Sequence, residues 1–378
     1  MRCARVLAAL AVVLLATGTA RGDDEVAVLR DGGQHSVDAL HAKLADAPAE
    51  ERQALEAQLD RVCAQRDCSA SRLFWYTDLE EAKAAARRLR RPIVSLHLLG
   101  RLDEEVSCAN SRFFRVMLYS DPAIASVLRD DFVMHWHSVR PVPRITIDLG
   151  NGRTIRQTIT GNSVHYLLDY DGTPLDALAG LYSPKEFTTR LEQWTTWFRK
   201  LRQYDRISAI RGYHMGRAMQ TGILAAGLGI AGVSEEWTPA RKANAYEAAR
   251  RAGTKSLIEG PVLQQVELGV RVDVPRRLYE LGEQSIDSVQ FSEPSLALMR
   301  RKQELTPELL HNLRRSVAAD TLFNEYELHR RLHVWYAYGE VMTLEKLNDR
   351  VYAELFLTPT GDPWMGLQPN SVFAALKE

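Results

Sequence analysis

The chain lacks the features that mark nucleic-acid-binding and membrane-spanning proteins. It has no excess of charge of either sign: 48 basic residues face 48 acidic ones. With no basic stripe or tail, there is no electrostatic footprint for a polyanion or an anionic membrane. Beyond the first residues, no apolar run is long enough to cross a bilayer. The nearest is Gly222 to Val233, which is short and broken by Gly227, Gly229 and Gly232. There is no glycine-rich loop of the kind that cradles phosphates, and no Ser-His-Asp arrangement above chance. No cofactor is therefore expected. Cysteines number four in 378 residues, too few for a disulfide scaffold.

The N-terminus is the strongest signal present. Arg2 and Arg5 precede an unbroken apolar run from Val6 to Ala16, and Ala20-Arg21-Gly22 places small residues at the −3 and −1 positions of a cleavage site. Residues 1–22 are read as a secretory signal peptide, leaving a secreted or periplasmic chain from Asp23. Cys3 precedes the apolar run, so no lipid-modified cysteine is expected. Cys63, Cys68 and Cys108 remain after cleavage, and an odd count in an oxidising compartment leaves at least one thiol unpaired.

Four segments follow from pattern. After the signal peptide, residues 23–71 contain a polar lead-in to about Gln34, expected to be flexible. Two helices then carry Leu40 and Leu44, and Leu55, Leu59 and Val62. Residues 72–200 alternate helix and strand. Thr77-Asp78-Leu79-Glu80 reads as a capping box for a helix with Ala82, Ala85, Ala86 and Leu89 on one face. Ile93–Leu99 is a buried-strand pattern. A helix is expected over 109–118, another from Asp121-Pro122 to Arg129, and a strand over Phe132–Val139. Gly150-Asn151-Gly152 between two β-rich runs predicts a hairpin. Strands over 164–169 and 175–178 and a helix opened by Ser183-Pro184-Lys185-Glu186 complete the unit. Residues 201–378 read as mainly helical.

This order makes residues 72–200 a mixed α/β sandwich. It resembles the thioredoxin superfamily through Trp75 with the Glu81-Ala82 helix, Arg91-Pro92 before the first buried strand, and Cys108 at a strand-to-helix turn. Ser120-Asp121-Pro122, Asp131-Phe132-Val133, Leu168-Asp169 before Gly172, and Gly180-Leu181-Tyr182-Ser183-Pro184 extend the match. The fold class expected is thus a thioredoxin-like α/β sandwich with an inserted β-hairpin, an N-terminal helical hairpin and a helical C-terminal region. The hairpin takes the place of the helix that usually precedes the family's loop proline.

The resemblance implies a redox site at a helix N-terminus, where the dipole and free N–H groups favour a thiolate. Here Ser107-Cys108-Ala109-Asn110-Ser111-Arg112 stands where the family has Trp-Cys-x-x-Cys. Cys108 matches the attacking cysteine, Ser111 replaces the resolving one, and Arg112 matches a common basic residue. The loop proline position falls near Ser163, after Asn162, and serine does not take a cis bond cheaply. What the resemblance leaves is a monothiol Cys-x-x-Ser site with catalytic candidates Cys108 and Ser111 and substrate-binding candidates Asn162 and Ser163. Ser111 is expected to hydrogen-bond the thiolate. The partners implied are exported client proteins or small thiols. The alternative is a redox-inactive fold used as a binding or scaffold module.

Cys63 and Cys68 are expected to form a local disulfide, which requires the chain to turn between them. A sharper reading makes one of them the resolving thiol for Cys108. Glu325, His329 and His333, spaced four apart, share a helix face that would suit zinc, but Arg330 stands where the zincin pattern needs Glu, and no metal is assigned. His135 and His137 share one side of a strand. Trp335, Tyr336 and Tyr338, with Trp364, are candidates for an aromatic groove, although such residues are more often core.

Overall fold

The computed structural model describes residues 19–158, 161–201, 203–229 and 276–363. The first elements are helices α1 (Thr19–Asp31), α2 (Gln34–Asp46) and α3 (Ala49–Cys63). Helix α1 occupies the segment expected to be a flexible lead-in. It is held by tertiary contacts that polar composition does not reveal. Val26 is buried with Leu59 and Val62 in a small N-terminal core. The Arg30 guanidinium donates to the carbonyls of Val62 (2.7 Å) and Trp75 (3.0 Å) and lies over the Phe74 ring. Helices α2 and α3 pair as expected, burying Val37, Leu40 and Leu44 on one and Leu55, Leu59 and Val62 on the other.

Helix α3 stops at Ala64, which has φ 52°; Asp67, at φ 63°, then opens a single helical turn, α4 (Cys68–Ser71). These two left-handed residues fold the chain back on itself. Cys63 and Cys68 are thereby brought to a Cα separation of 6.3 Å and form a disulfide. Helix α5 (Leu79–Leu89) is capped by Asp78, which accepts from the Glu81 N–H, one residue later than the expected Thr77 cap. Ala82, Ala85 and Ala86 are buried, whereas Leu89, the last residue of the helix, is exposed.

Strands β1 (Ile93–Leu99), β2 (Val133–Arg140), β5 (Ser163–Leu168) and β6 (Pro174–Ala179) form a mixed sheet in the order β2-β1-β5-β6. β1 and β2 run parallel, joined by α6 (Ala109–Phe113), a π-helical turn over Phe114–Leu118, and α7 (Pro122–Asp131). β5 is antiparallel to both β1 and β6. Between β2 and β5, β3 (Arg144–Asp148) pairs with β4 (Thr154–Thr158) as the expected hairpin. Its turn is set by Gly150 and Gly152 at positive φ and by Asp148 accepting the Gly150 N–H. Helix α8 (Pro184–Leu201) buries Phe187, Leu191, Trp194 and Phe198.

The remainder is helical: α9 (Arg206–Gly227), α10 (Arg276–Gln284), α11 (Glu293–Lys302), α12 (Pro307–Phe323), α13 (Arg330–Tyr338) and α14 (Leu344–Arg350). π-helical turns cover 324–329 and 351–355. Asp205, Thr306 and Thr343 cap α9, α12 and α14 with side-chain oxygens. These helices do not stand apart from the sheet. A single apolar core runs from Ala64 through all four sheet strands to Leu355 and Phe356. Among the described residues no helix is long and apolar enough to cross a membrane.

Gly180 marks the seam. It has φ +89°, and a Cβ there would lie 2.5 Å from the Asn324 amide nitrogen, which donates to the Leu181 carbonyl. Gly180→Ala is expected to lower stability by about 1–3 kcal/mol in urea unfolding, through both strain and displacement of Asn324. An unchanged midpoint would show that the seam gives way without cost.

Candidate functional site

Cys108 sits at the N-cap of α6, its backbone N–H bonded to the Leu99 carbonyl, so the strand-to-helix turn expected from sequence is present. The sulfur, however, is fully buried in the main core. It is the one free cysteine among the described residues and faces Ser163 Oγ at 3.4 Å. Ser111 does not bond the sulfur. Its hydroxyl is engaged by the Cys108 carbonyl (2.8 Å) and the Ser107 hydroxyl (2.7 Å), because a residue one turn into the helix is positioned to reach the cap's backbone oxygen. Arg112 donates to Thr158 on the hairpin (2.8 Å). Burial lowers the Arg112 pKa, an effect that the nearby Cys108 opposes. Neither Cys63 nor Cys68 can resolve Cys108, since they are bonded to each other.

Ser163 lies against the Cys108 sulfur, but neither it nor Asn162 is open to a client. Both are buried. Asn162 donates to Thr358 Oγ1 (2.7 Å), and its carbonyl accepts from the Tyr352 hydroxyl (3.1 Å). The segment following α14 thus closes over the place where a substrate groove was expected. No cis peptide bond occurs among the described residues.

A second constellation lies where β6, α8, α9 and α13 meet. Asp176, on β6, is fully buried and accepts three hydrogen bonds: from the Trp194 indole (2.8 Å), the Ala177 N–H (2.8 Å) and His329 Nε2 (3.1 Å). His329 Nδ1 lies 3.2 Å from Glu325, whose other oxygen pairs with Arg190 at 2.8 Å and lies 3.5 Å from Arg217. Burial alone would push the Asp176 carboxyl up. The His329 charge and hydrogen bond hold it well below the ordinary range. Burial alone would lower His329, but Asp176 and Glu325 raise it to about 9, so it is an imidazolium between two carboxylates.

His214 and His333 complete the cluster. His214 Nδ1 lies 2.7 Å from His333 Nδ1, and His214 Nε2 lies 2.8 Å from the Leu175 carbonyl. Burial lowers His214 to about 4 and also holds His333 well below the ordinary range of an imidazole, so both rings are neutral. His214 stacks on Tyr336 with ring centroids 4.2 Å apart. The sequence placed Glu325, His329 and His333 on one face, and they are. A packed polar face was the alternative to metal binding; what the sequence missed is that Glu325 and His329 bond to each other and that Asp176 and His214 join them. No spacing links β6 to α13, so only tertiary structure brings these residues together.

Of the other candidates, His135 and His137 flank His97 across the β1–β2 pair, with ring centroids 6.5 and 5.2 Å apart. His135 is buried against Ser95 Oγ (2.7 Å) and its pKa is lowered by burial, then by His137, to about 4. Tyr336 is packed on His214, Trp335 lies under Arg350, and Tyr338 is exposed, so the three do not line one groove. Trp364 lies outside the described residues. No protein-family model matches the chain, and a search of curated proteins gave no match.

Proposed function

We propose that this chain is an exported, thioredoxin-like protein whose fold serves as a redox-inert binding or scaffold module. The observation that carries the reading is the complete burial of Cys108, beside a turn whose Asn162 is itself buried and bonded to Tyr352 and Thr358. A thiol without access to solvent meets neither a client disulfide nor a small thiol. The fold reading is supported by the order of helix, strand, helices, strand, two antiparallel strands and closing helix from α5 to α8. Export is supported by the Arg2–Gly22 pattern and by the Cys63–Cys68 disulfide, a bond that persists in oxidising compartments.

Alkylation tests the reading. Native protein should leave Cys108 unmodified even above the roughly 8.5 pKa of a free thiol. Denatured, unreduced protein should expose one thiol among Cys63, Cys68 and Cys108; reduction should expose all three. Three thiols without reduction would eliminate the disulfide. Rapid native alkylation with a midpoint below that of a free thiol would overturn the inert reading.

It would then favour a second reading, monothiol exchange, which rests on the Cys108 sulfur lying at a helix N-cap against Ser163. There the Cys108 thiolate attacks a client disulfide, forming one S–S bond as the other client sulfur leaves as a thiolate, and an external thiol releases the client. Cys108→Ser would abolish trapped client disulfides and Ser111→Cys would confer dithiol turnover. The inert reading expects neither change.

A further inference from the structure

We propose that Asp176, His214 and His333 form a binding site for one divalent transition-metal ion of the zinc class, tying β6 to α9 and α13. One ligand atom from each of the three residues lies within 4.8 Å of the others, and all three side chains are buried.

The hydrogen bonds around the site orient it as a metal site requires. The Leu175 carbonyl can only accept, so neutral His214 carries its proton on Nε2 and turns the Nδ1 lone pair inward. That lone pair now accepts from His333 Nδ1, at 2.7 Å. His333 Nε2 is then a bare acceptor, buried and without a hydrogen-bond partner among the described residues. This nitrogen is free to take up the His333 proton when Nδ1 is released from the His214 contact to bind an ion. An imidazole whose outer N–H is held by a backbone carbonyl, and a carboxylate held by an indole and a backbone N–H, are the outer-shell arrangements that orient metal ligands.

The donor set selects the ion. Two imidazoles with one carboxylate suit zinc, copper or nickel, whereas magnesium and calcium require oxygen ligands. Metal–nitrogen bonds of about 2.0–2.1 Å in a tetrahedral site place the two nitrogens roughly 3.3 Å apart. The imidazole pair therefore opens by roughly 0.6 Å as the ion replaces the bridging hydrogen bond. The proton of His333 ends on the ring nitrogen that faces away from the ion, so both rings stay neutral and this pair releases no proton. His329, with both nitrogens engaged by Asp176 and Glu325, stays outside the ligand set. The site is independent of Cys108, and its failure would leave the inert-module reading untouched.

The test uses the full, untagged chain, stripped with a chelator and confirmed folded by circular dichroism. Zinc added at one equivalent should remain bound after desalting, one ion per chain by elemental analysis, and should raise the melting temperature; magnesium should do neither. Cobalt should give a visible ligand-field band that zinc abolishes. Trp194→Phe, which removes the indole donor to Asp176 along with part of a buried ring, should weaken zinc roughly 10-fold or more while the chain stays folded. His214→Gln with His333→Gln should lose the ion. A wild-type chain that elutes without zinc overturns the proposal without recourse to any variant. So does wild-type affinity in Trp194→Phe or in a folded double variant.

Discussion

Asp176→Ala should lower the unfolding free energy by about 3–5 kcal/mol, the range for removing one member of a buried ionic pair. The carboxylate is fully buried and accepts from the Trp194 indole, the Ala177 N–H and the His329 imidazolium. Deleting it leaves three buried donors unpaired, each worth about 1–3 kcal/mol when stranded, and leaves His329 with Glu325 alone. Asp176→Asn should cost less, since an amide oxygen still accepts while the charge is lost. Urea unfolding followed by circular dichroism measures both, in metal-free protein so that any linked ion does not contribute. A loss under about 1 kcal/mol for the alanine variant would mean that water or rearranged neighbours replace the carboxylate.

Stability should also fall steeply between about pH 6.5 and pH 4, and His135 carries a definable share. Its folded pKa of about 4 is below the unfolded value of about 6.5, so the unfolded chain binds the extra proton. The contribution is complete above pH 6.5 and is lost as pH falls towards 4. At one pH unit to 1.36 kcal/mol, the loss is about 2 kcal/mol by pH 5. His165, lowered by burial to about 3 and bonded to the Tyr119 hydroxyl at 2.7 Å, adds a similar amount. Comparing urea midpoints at about pH 7.5 and pH 5 for wild type and His135→Gln isolates one site, because the groups common to both chains cancel. The variant should lose about 2 kcal/mol less than wild type over that interval. Equal losses in the two proteins would show that His135 protonates without opening the fold.

Most elements between α2 and α8 were legible because their signals are local. The Ala82, Ala85 and Ala86 spacing, the Asp121-Pro122 helix start, the Gly150-Asn151-Gly152 turn and the apolar run at Ile93–Leu99 each act within a few residues. The disulfide was legible for a related reason: two cysteines five apart need only a turn, and Ala64 and Asp67 supply it. Helix α1 was not legible, since Arg30 is satisfied by carbonyls at Val62 and Trp75, far along the chain.

The chemistry divides in the same way. Sequence alone determined that Cys108 begins a helix, that Ser111 stands where a second cysteine would, and that Glu325, His329 and His333 share a face. The first and third follow from local helix signals, and the second is what the resemblance to the thioredoxin superfamily implies. Only the tertiary structure decided that Tyr352 and Thr358 cover the Asn162 loop, and that Asp176 and His214 meet His333 in the interior. A side chain's accessibility and its partners depend on which elements pack against it, and that packing joins β6, α9, α13 and the residues after α14. Residues brought together across such distances leave no periodicity in the sequence, so burial and electrostatics at both sites belong to the assembled core.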